Sequence, residues 1–230
     1  MNSPTPTPEP AVAPGTLWVR HPGYRQVVVV GTPGSGKTTL ARQLSRCLAL
    51  PHVELDSLYK AARGSPPASG YPLVVAFRQR AEAVVRGDRW LVDGDYTEVR
   101  DIVWNRAATL VWLDYPLPVV WWRLTRRASR RTVKPEESWY EYHDWWSGNW
   151  ERLRLHLFSR RSLFLRQTRA HLKTRREFPV LFNSPGYAHL EVRHLRSPRA
   201  TQDWLSALGV PARADNLAVS PLSQREGVAP

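Results

Sequence analysis

The sequence predicts an α/β fold in which a five-stranded, mostly parallel sheet is covered by helices on both faces. Three observations predict it. Short apolar runs alternate along the chain with stretches of helical periodicity, the pattern left by repeated strand-to-helix crossovers. The run Val27–Val30 leads directly into the glycine-rich stretch "GTPGSGKTT" and then into a helix-like segment. Further strand-like runs end beside Asp56, Asp93 and Asp114, which a parallel sheet gathers at the edge where ligands bind.

The first strand is expected at Gln26–Val30, where consecutive valines suit a strand buried on both faces. Gly31 to Thr38 then fits G-x-x-x-x-G-K-[ST] at every fixed position. Gly31, Gly34 and Gly36 let the turn, with Thr32, Pro33 and Ser35 between them, curl its amides inward. The result is a phosphate nest at the start of a helix predicted over Lys37–Leu48. Lys37 is expected on the β- and γ-phosphates, the Thr38 hydroxyl on Mg²⁺, and Thr39 completes the nucleotide-binding run. The fold class is accordingly a P-loop NTPase three-layer sandwich, with ATP and Mg²⁺ as expected cofactors. A glycine-rich turn between an ordinary strand and helix would not require the lysine and hydroxyl at this spacing.

Further strands are predicted at His52–Leu55, Trp90–Val92, Thr109–Leu113 and Leu190–Leu195. Helices are predicted at Phe77–Arg86, Thr97–Trp104, Leu117–Arg131, in a long stretch after Trp150, and at Arg199–Leu208. Asp56 either caps a helix or touches an acceptor; Asp93 and Asp114 either shape turns and caps or serve Mg²⁺. In "PLPVVWWRLTRRASRR", Arg123, Arg126, Arg127, Arg130 and Arg131 form one helical stripe. Such a stripe is either a solvated basic face or a clamp for an anion.

The folded part is expected over 18–208, between a Pro-rich disordered tail at 1–17 and a second at 209–230. Hydrophobic residues make up 42% of the chain, which argues against wholesale disorder. The one cysteine, Cys47, cannot form an internal disulfide and suits a reducing cytoplasm. No leader pattern or membrane-length apolar run is visible, so no membrane partner is expected. The formal charge of +13 and the basic stretch Arg152–Arg176 leave nucleic acid as an alternative partner, not the favoured one. The basic residues there are spread around the helix, and no nucleic-acid-binding motif accompanies them. Oligomeric state is left open.

The segments "GTPGSGKTTLARQLS", "LPHVELDSLY", "WLVDGDYTEVRDIVWNRA", "LVWLDYPLPVVWWRLTRR" and "VRHLRSP" carry a resemblance to P-loop kinases of the adenylate kinase type. The chain looks most like small bacterial proteins known as adenylate kinase-like or DNA topology modulation proteins. The resemblance implies transfer of the γ-phosphoryl group of Mg-ATP to a small acceptor, a nucleoside monophosphate among the candidates. It implies catalytic roles for Lys37, Asp93, Arg123 and Arg127, metal contacts for Thr38, Asp93 and Asp114, and substrate contacts for Asp56 and Arg100. It further implies an acceptor insert at 57–72 and a lid at 131–148. The chain departs from the adenylate kinase pattern after Asp93-Gly94, where Asp95 and Tyr96 stand in place of Phe-Pro-Arg. It also lacks a Thr-x-x-Arg element in the acceptor region and a cysteine cluster in the lid segment.

Overall fold

A computed structural model describes residues 23–64, 73–131 and 163–210. The segments 65–72 and 132–162 lie outside the described residues, and with them most of the expected insert and lid; so do the tails, apart from Gly209 and Val210.

Five strands, β1 Gln26–Gly31, β2 His52–Glu54, β3 Trp90–Asp93, β4 Thr109–Leu113 and β5 Glu191–Leu195, form one sheet in the order β2-β3-β1-β4-β5. Every pairing is parallel. The central strand shows why. Val27 to Val30 are all at 0% exposure, and each such valine contributes about 1.5–3 kcal/mol of hydrophobic stabilisation. Their side chains alternate by the strand period. Val27 and Val29 join one core with Leu44, Leu113 and Leu205, while Val28 and Val30 join another with Phe77, Trp104, Trp112 and Phe178.

The helices follow from those two cores. One face carries α1 (Lys37–Leu48), α5 (Leu117–Arg131) and α7 (Pro198–Ala207); the other carries α2 (Leu55–Gly64), α3 (Leu73–Val85), α4 (Thr97–Arg106) and α6 (Leu163–Phe182). This is the expected three-layer sandwich. Ser197 caps α7 by accepting from the Ala200 amide, ahead of Pro198 at the first helical position.

Several element ends shift by one or two residues from the sequence reading, one helix start shifts by four, and α2 is absent from the predicted helices. Leu55, assigned to the second strand, instead opens α2, and β2 is only three residues long. Leu55, Leu58, Tyr59 and Ala62 recur at helical spacing and pack into the second core. Helix α3 begins at Leu73 rather than Phe77. Val210, inside the tail expected to be disordered, is 2% exposed, and its amide bonds to the Leu205 carbonyl at 2.8 Å.

Candidate active site

The phosphate loop leaves β1 at its carboxyl end, at the point where the sheet continues to β3 on one side and β4 on the other. An open α/β sheet forms its ligand crevice there. Gly36 sits before α1 at φ +96°, a left-handed conformation that a side chain resists. Gly34, at φ +86°, has a second constraint: a Cβ there would lie 2.8 Å from Leu124 Cγ and 3.1 Å from the Val120 carbonyl. Helix α5 is therefore seated directly on the loop.

Inside this turn, Thr32 Oγ1 and Ser35 Oγ are buried with no hydrogen-bond partner. Buried hydroxyls are rarely left so, and a bound phosphate chain would supply acceptors. Lys37 Nζ reaches back to the Thr32 carbonyl at 3.4 Å, across the mouth of the loop. Gly31, Pro33 and Thr39 complete the turn and the first residues of α1.

On the β3 side, Thr38 Oγ1 donates to Asp93 Oδ2 at 2.6 Å. Asp93 is 3% exposed, and its other oxygen lies 3.1 Å from His52 Nε2. His52 has no counterpart in the sequence reading. Its signal is positional: parallel pairing sets Glu54 opposite Asp93, so His52, two residues earlier, shares that face of the sheet.

On the β4 side, Arg123 Nη1 donates to the Ser35 carbonyl at 2.7 Å, and its guanidinium lies 5.0 Å above the Tyr115 ring. Arg127 follows one turn later on α5, with its side chain outside the described residues. Asp114 has different company. Arg175 Nε donates to its Oδ1 at 2.5 Å, and His194 Nε2 lies 3.0 Å from Oδ2. The structure thus brings Thr38 and Asp93 together and sets Asp114 in a separate cluster that ties α6 and β5 to the end of β4.

The two expected substrate contacts sit beyond β2 and β3. The Tyr96 hydroxyl donates to Asp56 Oδ1 at 2.8 Å. Arg100 holds both oxygens of Asp95, at 3.0 and 2.6 Å, and lies over Trp104 at 4.9 Å. Burial works against the charge of Arg100, but the Asp95 bonds outweigh it and raise its pKa above the usual value. Among the described residues no group of three or more His, Cys, Asp or Glu forms a metal cage. No helix there is long and apolar enough to cross a membrane.

Sheet order, phosphate loop and strand-end aspartate together define a class, that of P-loop, kinase-like nucleotide-binding proteins. Within it the chain belongs to the AAA domain family, whose pattern matches residues 27–207. The adenylate kinase of Moorella thermoacetica is 31% identical over 70 residues, 30% of this chain; the match spans 28% of that relative's length. Shikimate kinase from Acinetobacter baumannii in complex with shikimate is 18% identical and covers 80% of this chain and 90% of its own, with a TM-score of 0.43. A sugar kinase from Janibacter sp. is 20% identical, covers 81% and 95%, and has a TM-score of 0.38. Neither likeness bears on the identity of the acceptor.

Proposed function

We propose that the protein is an ATP-dependent phosphotransferase that moves the γ-phosphoryl group to a small-molecule acceptor. One observation carries the reading: the phosphate loop is flanked by the Thr38–Asp93 pair at 2.6 Å and by Arg123 at 2.7 Å from the Ser35 carbonyl. Binding alone needs the loop and Lys37. A hydroxyl beside an acid on one side and an arginine on the other fit the charge that develops during transfer.

In this reading the loop amides and Lys37 hold the triphosphate. Mg²⁺ fits the site, because Thr38 and Asp93 offer the hard oxygen donors it prefers. Thr38 and Asp93 would hold it, directly or through water, and when bound it neutralises charge on the β- and γ-phosphates. Arg123, with Arg127 one turn along α5, balances the charge spreading over the transferred group. Asp114 is left out of the metal set, since both its oxygens are engaged by Arg175 and His194. Two acceptor classes suit the phosphate site: a nucleoside monophosphate, whose attacking oxygen is already ionised, and a hydroxyl compound, which needs a proton acceptor.

The test is a mass-spectrometric search for phosphorylated products from protein, ATP and Mg²⁺ with a mixed panel of small molecules, run beside Lys37→Ala. A product that requires Lys37 supports the reading. ATP binding with no product from any compound refutes it.

A further inference from the structure

Helix α6 divides its residues between two faces. Gln167, His171, Arg175, Phe178 and Phe182 recur at helical spacing on the side turned to the sheet. Gln167, His171 and Phe178 are 6%, 2% and 1% exposed, and Arg175 is bonded to Asp114 at the end of β4. The opposite side is formed by Arg169, Leu172, Lys173, Arg176 and Val180, at i, i+3, i+4, i+7 and i+11, all of them exposed. Within α6 the fold therefore sorts the basic residues. Arg175 serves the sheet edge, while three cations share the outer face.

That outer face combines free charge with apolar surface. Among the described residues Arg169 and Arg176 have no ion-pair partner, and Lys173 meets Glu177 only at 3.5 Å, an exposed pair that opens at little cost. Between these cations stand Leu172, 45% exposed, and Val180, 71% exposed. The cations call for an anionic partner, and the apolar side chains call for one with a nonpolar layer within reach. A nucleic-acid backbone meets the first demand but gives Leu172 and Val180 nothing to enter. A second copy of the chain would bring another formal charge of +13 against the first. An anionic lipid surface meets both demands. Its headgroup phosphates lie above an acyl region, and lysine and arginine stems are long enough to keep their charges among the headgroups while apolar neighbours go deeper. The charge of +13 adds attraction toward such a surface before contact.

We propose that the outer face of α6 docks the protein peripherally on an anionic membrane, with Arg169, Lys173 and Arg176 at the headgroup phosphates and Leu172 and Val180 in the acyl boundary. A contact of this kind needs no membrane-spanning helix, the feature on which the sequence expectation of no membrane partner rested, and none is present among the described residues. The docking is independent of the phosphotransferase reading, since none of these side chains belongs to the phosphate site.

The full chain is sedimented with vesicles of phosphatidylglycerol mixed with phosphatidylcholine, and with vesicles of phosphatidylcholine alone, over a range of salt. Duplex DNA is a separate arm at the same salt, and the oligomeric state is measured without either. The variants are Arg169→Gln/Lys173→Gln/Arg176→Gln, Leu172→Gln/Val180→Gln, and Arg25→Gln/Arg46→Gln/Arg86→Gln, which removes the same charge from exposed positions on other elements. Each has its thermal midpoint checked. The protein is expected on the anionic vesicles alone, and less of it as salt rises. Neutralising α6 lowers the partition about 100-fold, at about fivefold per cation. The apolar exchange lowers it about tenfold, and the distant charge exchange keeps it within about threefold because separated surface charges are screened. Equal losses in the two charge variants would reduce the effect to net charge, and a wild-type partition in Leu172→Gln/Val180→Gln would leave nothing inserted; either overturns the proposal. So does a protein that ignores anionic vesicles. Duplex DNA bound in preference to vesicles, or a self-association lost in the α6 variants, assigns the face to another occupant and overturns it as well.

Discussion

Replacing Asp93 with asparagine separates a metal role from a structural one. Asp93 is 3% exposed, accepts from Thr38 Oγ1 at 2.6 Å and lies 3.1 Å from His52 Nε2. A hydrogen bond to a charged group is worth about 1.5–3 kcal/mol and a neutral one about 1, so the exchange weakens the Thr38 contact by about 1–2 kcal/mol. Removing a buried charge also relieves its desolvation cost. These effects oppose each other, and the net change in stability should stay within about 1 kcal/mol, or about 2–4 °C in midpoint for a chain of this size. Nucleotide affinity should respond differently. Loss of the carboxylate beside a divalent cation should weaken Mg-ATP binding about 10- to 100-fold, at tenfold per about 1.4 kcal/mol. Metal-free ATP should bind as before or tighter, since a negative charge next to the phosphates is gone. Calorimetric titrations of ATP with Mg²⁺ and with a chelator measure both. Equal factors in the two titrations would refute the metal role, and a midpoint loss above about 10 °C would make Asp93 a structural residue.

Lys37→Ala should abolish turnover, which a product assay free of contaminating ATPase checks directly. Arg123→Ala should lower kcat about 100- to 1000-fold, the usual cost of removing a donor aimed at developing charge, with a smaller change in ATP affinity in the same titrations. Gly34→Ala should destabilise the fold by about 2–4 kcal/mol, combining the left-handed backbone with the Leu124 clash, as measured by denaturant unfolding. His171 is 2% exposed; burial, reinforced by Arg175 and opposed by Asp114, holds its pKa below the ordinary value of 6.5. Because the folded pKa lies below the unfolded one, its contribution is complete above pH 6.5 and declines as the pH falls toward the folded value. The midpoint difference between wild type and His171→Gln should therefore shrink between pH 7.5 and 5.5, and a constant difference would contradict the assignment.

What the sequence disclosed was mostly local. The run from β1 through the phosphate loop to α1 is contiguous, and its steric and hydrogen-bonding demands are met by residues within a few positions of each other. Thr38 and Asp93 are 55 residues apart, yet their proximity was legible because the loop that carries Thr38 leaves β1 and Asp93 ends β3, neighbouring strands whose ends a parallel sheet aligns. Asp114 obeyed the same rule, but its partners come from Arg175 and His194, 61 and 80 residues later. No local pattern ties a helix surface to a strand end at that separation. Helix α2 was missed for another reason. A three-residue strand runs straight into it, and the β-like "HVEL" masks a helical spacing that begins at its last residue. The bond from Tyr96 to Asp56 was equally hidden, since it depends on how closely Leu55 approaches Gly94.

Arg123 was described above as a charge near the phosphate loop; its contact with the Ser35 carbonyl also has a kinetic meaning. Arginine carries about 2 kcal/mol of rotamer entropy, and a clamp drawn from solvent would lose it each time a nucleotide arrived. Here the bond to Ser35 and the Tyr115 ring restrict the side chain during folding. Under the proposed function the ordering would be completed once per folded molecule instead of once per turnover, and the guanidinium would have only to exchange one oxygen partner for another.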